Sequence, residues 1–188
     1  MNNEPLLTVA NQLTILRMGL APFLAVLVIQ HEFAWALVVF VVAGVTDLLD
    51  GYIARRGHQG TKLGAVLDPI ADKVLLTTSF LVLTWSPGLL VPVPVWLTVL
   101  VLSRDAIILI SATAITLSSG FRVFPPSLLG KVSTACQIVA AGLVIALNAA
   151  GDTEPWMPVV FGVVAIFTVA SAAHYAWRAS RVPAGARP

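Results

Sequence analysis

Runs of about twenty apolar residues recur along this chain, and that recurrence leaves few folds open. Each run is long enough, at the 1.5 Å rise of a helix, to cross a hydrocarbon layer about 30 Å thick. Inside lipid every backbone N–H and C=O needs a protein partner, which leaves only helices or a closed barrel. The runs are continuously apolar rather than alternating, and that selects helices. The pattern predicts six spans, over residues 13–30, 34–55, 63–85, 94–118, 127–149 and 155–180. Composition agrees, since 58% of the residues are hydrophobic and 11% charged, where soluble domains carry about 25% charged residues. The expected fold is an all-α integral membrane protein, a six-transmembrane-helix bundle.

The breaks between spans set its orientation. Residues 31–33, 86–93 and 150–154 contain no Lys or Arg, whereas Arg55, Arg56, Lys62, Arg122, Lys131, Arg178, Arg181 and Arg187 fall at the opposite ends. The positive-inside rule then puts both termini and the 56–62 and 119–126 loops in the cytoplasm. The first nine residues lack a basic n-region and do not look like a cleaved signal peptide. With no Arg-rich presequence, the expected location is a bacterial inner (cytoplasmic) membrane, multi-pass. One cysteine, Cys136, excludes an intramolecular disulfide and a cysteine-based zinc site. A chain this short reads as one domain over 1–181, with 182–188 as a disordered tail.

Against this apolar background four aspartates stand out, Asp47, Asp50, Asp68 and Asp72, all within 26 positions. A charged side chain at the centre of a membrane helix costs about 2.5–3.5 kcal/mol, so such residues persist where they bind an ion or do chemistry. Spacings of three and four put each pair on one helix face. A hairpin through the 56–62 loop would bring the two faces together near the cytoplasmic end. Four carboxylates stay ionised together only if cations neutralise them. An all-oxygen donor set without His or Cys selects hard ions, Mg²⁺ or Mn²⁺, and two ions about 3.5–4 Å apart would suit phosphate chemistry. Gly51, Ala54 and Gly64 keep the flanks small enough for a nucleotide or diphosphate to approach the backbone. Arg55 adds a fixed positive charge for phosphate oxygens. Two other readings of the acids are interhelical ion pairs with Arg55, Lys73 and Arg104, and a cation pathway of a transporter subunit. Three bases do not balance these acids, and transport paths usually spread acids over the midplane with broken helices or repeats.

The string Asp47-x2-Asp50-Gly51-x2-Ala54-Arg55-x8-Gly64-x3-Asp68-x3-Asp72 resembles the full signature of the CDP-alcohol phosphatidyltransferases, including the eight-residue gap. The likeness extends to Asn11-x-Leu13-Thr14-x2-Arg17, to Ser103-Arg104-Asp105, and to Gly130-Lys131-x2-Thr134-x2-Gln137. It implies that Asp47, Asp50, Asp68 and Asp72 hold two divalent cations, with Asp72 also the general base. It further implies a CDP pocket lined by Asp47, Gly51, Ala54, Arg55, Gly64 and Thr14. The implied reaction is attack by an alcohol on the β-phosphorus of CDP-diacylglycerol, with a glycerol-type acceptor, no nucleic-acid partner and a possible homodimer. The branch it resembles holds phosphatidylglycerophosphate synthases and single-domain cardiolipin synthases. Asp105 after Ser103-Arg104, then an uncharged run over 106–121, resembles the cardiolipin type, with phosphatidylglycerol as acceptor; glycerol 3-phosphate is the alternative.

Five further positions keep two readings each. Arg104 either reaches the acceptor's phosphate or forms a structural pair with Asp105. Lys131 and Arg122 either bind an anionic acceptor head group or anchor the chain at the membrane surface. Thr14 and Arg17, expected at the cytoplasmic surface, either contact nucleotide or serve as a helix cap and an anchor.

Overall fold

A computed structural model describes residues 9–57, 62–119 and 128–180, with side chains over 15–46, 73–110 and 128–177. Among the described residues there are six helices and no strand: α1 Val9–Ile29, α2 Phe33–Gly57, α3 Lys62–Trp85, α4 Val95–Ser119, α5 Leu128–Ala150 and α6 Met157–Ser180. Five match the predicted spans to within two residues at each end, and α1 starts four residues earlier than expected. Two of the six, α5 and the 157–177 part of α6, are long and apolar enough to cross a membrane by length and composition. The predicted tail and the 119–126 loop lie almost wholly outside the described residues.

The helices group into two compact units, one built from α1, α2, α3 and the last turns of α5, the other from α4, the first turns of α5, and α6. In the first unit α1 packs against both α2 and α3. Small residues at its core, Ala21, Ala36, Ala43 and Ala141, let backbones approach closely, and Leu24, Phe40, Phe80 and Leu83 fill the space beside them. A methyl built on Gly142 would already meet the Phe40 ring at 3.4 Å, so that side chain is seated directly on α5. In the second unit α4 packs on α6, with Leu97, Val101, Phe161 and Val164 buried.

The ends of α1 and α5 show how the turns form. Glu32 N–H donates to Leu27 O at 2.9 Å and His31 N–H to Val28 O at 3.1 Å, the paired bonds of a Schellman turn. His31 takes the left-handed residue of that turn, at φ 60°. After α5 the same turn recurs with Gly151 at φ 70° and Asp152 N–H donating to Leu147 O at 3.1 Å. Glycine adopts this conformation freely, whereas histidine is strained there.

Large apolar side chains cover much of the described exterior, while several polar ones are buried. Buried positions include Arg17, Ser79, Thr98, Arg104, Ser133, Gln137, Asn148, Thr168 and Ser171. Outward positions include Phe23, Val26, Val38, Val41, Ile107, Leu109, Ile110, Val159 and Ile166. Large contiguous apolar exposure requires an apolar surrounding, and polar side chains inside apolar helices turn away from lipid toward one another. Hydroxyls close onto their own helix: Ser79 donates to Leu75 O at 2.8 Å and Thr84 to Phe80 O at 2.7 Å. The tryptophans 35, 85 and 96 are exposed at helix ends, where amphipathic rings sit at a membrane surface.

Candidate active site

The four aspartates lie on unbroken helical backbone. Asp47 and Asp50 stand ten and seven residues before the end of α2, and Asp68 and Asp72 six and ten residues after the start of α3. At 1.5 Å per residue, each pair sits within about 9–15 Å of its helix end, and each pair shares one helix face. Gly51, Ala54 and Arg55 continue α2, and Gly64 falls in the first turn of α3. The side chains from 47 to 72, and that of Thr14, lie outside the described set, as does Arg122 altogether. Among the described side chains no group of three metal-ligating residues occurs. As chemistry, the donor set of four carboxylates on helical i,i+3 and i,i+4 spacing fits hard divalent ions.

Both acid-bearing helices pack on α1, and α1 carries the largest fully buried side chain, Arg17, at 1% exposure. Arg17 is thus enclosed by the unit rather than exposed as a surface anchor would be. Arg17 lies twelve residues before the end of α1, and the three-residue turn to α2 sets it level with residue 45, within a turn of Asp47. The far end of α3 is tied to the same turn, because a methyl built on Gly88 would meet the His31 ring at 3.1 Å. Asp72 lies thirteen residues before that end. A guanidinium is therefore buried about 18 Å from the turn, at the height of two of the four acids. Burying such a charge is tolerated only where strong acceptors or anions meet it.

The second unit holds a polar seam between its helices. Arg104 Nη1 donates to Asp105 Oδ1 at 2.7 Å, and Nη2 to Ser171 Oγ at 2.6 Å. Arg104 is buried at 6% exposure and Asp105 half-buried at 13%, and the two form an ion pair. Both charges need such a partner in apolar surroundings, and the guanidinium still keeps a buried Nε–H without a partner among the described residues. One turn along α6 from Ser171, Thr168 meets Ser133 at 3.3 Å and accepts from Gln137 Nε2 at 3.3 Å. Lys131, in the first turn of α5, is exposed.

Sequence reasoning did not pick out Ser133, Thr168, Ser171 or the role of Arg17's burial. The signal was present in the spacing. Ser133 and Gln137 stand four apart on α5, and Thr168 and Ser171 three apart on α6, so each pair marks one helix face that must turn inward.

Comparison with known proteins follows the same residues. The sequence pattern of the CDP-alcohol phosphatidyltransferases matches residues 7–179. A human protein named cardiolipin synthase (CMP-forming) is 37% identical over 186 residues, covering 89% of this chain and 60% of its own length. A protein of the same name from Streptomyces coelicolor is 33% identical over 154 residues, covering 79% of this chain and 69% of its own length. A Schizosaccharomyces pombe cardiolipin synthase (CMP-forming)/mitochondrial hydrolase fusion protein is 33% identical over 195 residues, covering 92% of this chain and 31% of its own. The chain thus spans about 60% of the length of its human relative. With the acid string on two helices and a match across almost all of its length, the chain belongs to the CDP-alcohol phosphatidyltransferase family.

Proposed function

We propose that the protein transfers the phosphatidyl group of CDP-diacylglycerol to a glycerol-type alcohol, releasing CMP, with phosphatidylglycerol as acceptor and cardiolipin as product. The observation that carries this reading is the complete eight-position acid string, set on α2 and α3 of a chain whose similar relatives bear the name cardiolipin synthase (CMP-forming). The family match runs through both compact units, which supports one functional domain over 1–181.

In this reading the acceptor's primary hydroxyl oxygen attacks the β-phosphorus, and the bond from that phosphorus to the bridging oxygen breaks. CMP leaves with the bridging oxygen, and the hydroxyl proton passes to the carboxylate of Asp72. Asp47, Asp50 and Asp68, with Asp72 shared, would hold two divalent cations, Mg²⁺ or Mn²⁺. Such ions, when bound, neutralise the diphosphate and the charge that develops on the departing oxygen. Gly51, Ala54 and Gly64 leave room for the nucleotide, Asp47 and Thr14 contact it, and Arg55 faces its phosphates. Arg104, Lys131 and Arg122 form the acceptor's anion subsite; Arg104 is held in place by Asp105 and Ser171 while its Nε–H stays available.

The six helices, the outward apolar residues and the charge distribution of the loops support a six-span protein with both termini and the acids on the cytoplasmic side, in an inner membrane. A homodimer follows from the family resemblance alone. The test is CMP release by purified protein in CDP-diacylglycerol micelles with Mg²⁺ or Mn²⁺, run acceptor by acceptor. Release with phosphatidylglycerol is expected. Release with glycerol 3-phosphate alone would replace the acceptor, and release with neither would overturn the function.

A further inference from the structure

One buried charge of the first compact unit is not used by the reaction. Arg17 is 1% exposed on α1, and α1 packs on both α2 and α3. A guanidinium keeps its proton at any working pH, so the enclosed group is a cation. The carboxylates that could answer it are few. α1 contains none, α2 only Asp47 and Asp50, and α3 only Asp68 and Asp72. The unit's other acids among the described residues, Glu32 and Asp152, stand in the turns after α1 and α5. Asp152 follows Asn148, whose amide holds Leu90 and Val91 in the loop after α3, so both belong to the far end of the unit. Lys73, the other base among the unit's described side chains, is only half-buried and is not committed to the interior as Arg17 is.

Depth along the helices narrows the choice further. Arg17 stands twelve residues from the α1–α2 turn, Asp47 fourteen residues into α2, and Asp72 thirteen residues before the end of α3. The contact between Gly88 and the His31 ring sets the end of α3 beside that turn. At 1.5 Å per residue the three depths are about 18, 21 and 20 Å, while Asp50 and Asp68 lie at about 26 Å. Packed helices run about 8–10 Å apart, a gap that an arginine side chain can cross. One cation thus lies inside the unit at the depth of one acid from each neighbouring helix.

We propose that Arg17 is the resident countercharge of the acid string, a positioning residue that holds α2 and α3 together on α1 whenever the divalent ions are absent. Like carboxylates brought together repel unless cations neutralise them. Bound ions meet that need during turnover, and Arg17 meets part of it between arrivals. The assignment rests on the reading of the acids as a cation site, and it lies wholly within one compact unit.

The experiment reads the unfolding temperature of purified protein in detergent, in EDTA and again with saturating Mn²⁺. Mn²⁺ should raise it in the parent protein. Arg17→Met should lower it by roughly 5 °C or more in EDTA, the scale of unpairing a buried charge in a chain of this size. The loss should be clearly smaller with Mn²⁺, because the ions then supply the missing charge. Arg17→Lys, which keeps the charge, should stay near the parent in EDTA. An equal loss in both conditions would overturn the proposal and leave Arg17 a packing residue, as would Arg17→Lys protein as unstable as Arg17→Met. Should Arg17→Met fold in neither condition, the Arg17→Met/Asp47→Asn double variant decides. Recovery of folding on removing one carboxylate supports the countercharge, and continued failure overturns it. Parent protein whose unfolding temperature ignores Mn²⁺ would instead overturn the cation site, and this assignment with it.

Discussion

Two buried carboxamides on α5, eleven residues apart, are treated in opposite ways. Asn148 is closed: Oδ1 accepts from Leu90 N–H at 2.8 Å and Val91 N–H at 3.4 Å, while Nδ2 donates to Val91 O at 3.1 Å and Val144 O at 2.8 Å. It replaces the missing backbone partners of the loop after α3, which is why that irregular segment can be buried at Val91 and Val93. Gln137 is open, with its amide nitrogen engaged and its oxygen unmet. The first is a structural clamp, whereas the second leaves its oxygen without a donor among the described residues. The lesson is that a buried polar residue in an apolar helix is read by its unmet valences, not by its burial.

That contrast predicts which substitutions move activity and which move stability. The widest separation is expected at the acids. Asp72→Asn should lower CMP release by about a thousandfold or more, the scale of losing a base or a cation ligand, with no large shift in unfolding temperature. An equal collapse of stability would assign the acid to structure instead. Asn148→Leu should do the reverse, costing roughly 2–4 kcal/mol because it strands two N–H groups and a carbonyl. Acceptor KM should be unchanged in whatever fraction remains folded, and a selective rise in KM would erase the distinction drawn between the two amides. Thr168→Val removes the oxygen that Ser133 and Gln137 share and should cost about 1–2 kcal/mol of stability. The smallest effect is expected at the turn after α1. His31→Gly relieves the left-handed histidine but removes the ring that packs at Gly88 and Phe33, so it should shift stability by less than about 1 kcal/mol, read as a small change in unfolding temperature with unchanged kinetics.

The helices were legible in the sequence because length and hydropathy alone determine them; all six apolar runs became helices, with bounds moved by the turns. The start of α1 was missed because Val9–Gln12, with Asn11 and Gln12, is only weakly apolar. The acid string was equally legible, since its meaning lies in fixed spacing. What spacing could not give was depth and partnership. Arg17 read as a surface anchor because it is a lone base near the chain start, and only the packing of α1 between two acid-bearing helices reveals a buried guanidinium. The partners of Arg104 include Ser171, 67 residues distant, which no local spacing could indicate. Gln137 was visible as part of a motif, but its unmet oxygen depends on which way the Thr168 proton points.

The central claim is that the acids of α2 and α3 hold divalent ions beside a pyrophosphate. Stripping the purified protein with EDTA and following CMP release from CDP-diacylglycerol and phosphatidylglycerol tests it most directly. Loss of turnover, restored by Mn²⁺ or Mg²⁺ in the parent protein but not in Asp68→Asn, is the predicted result. Undiminished turnover in the chelated protein would contradict it.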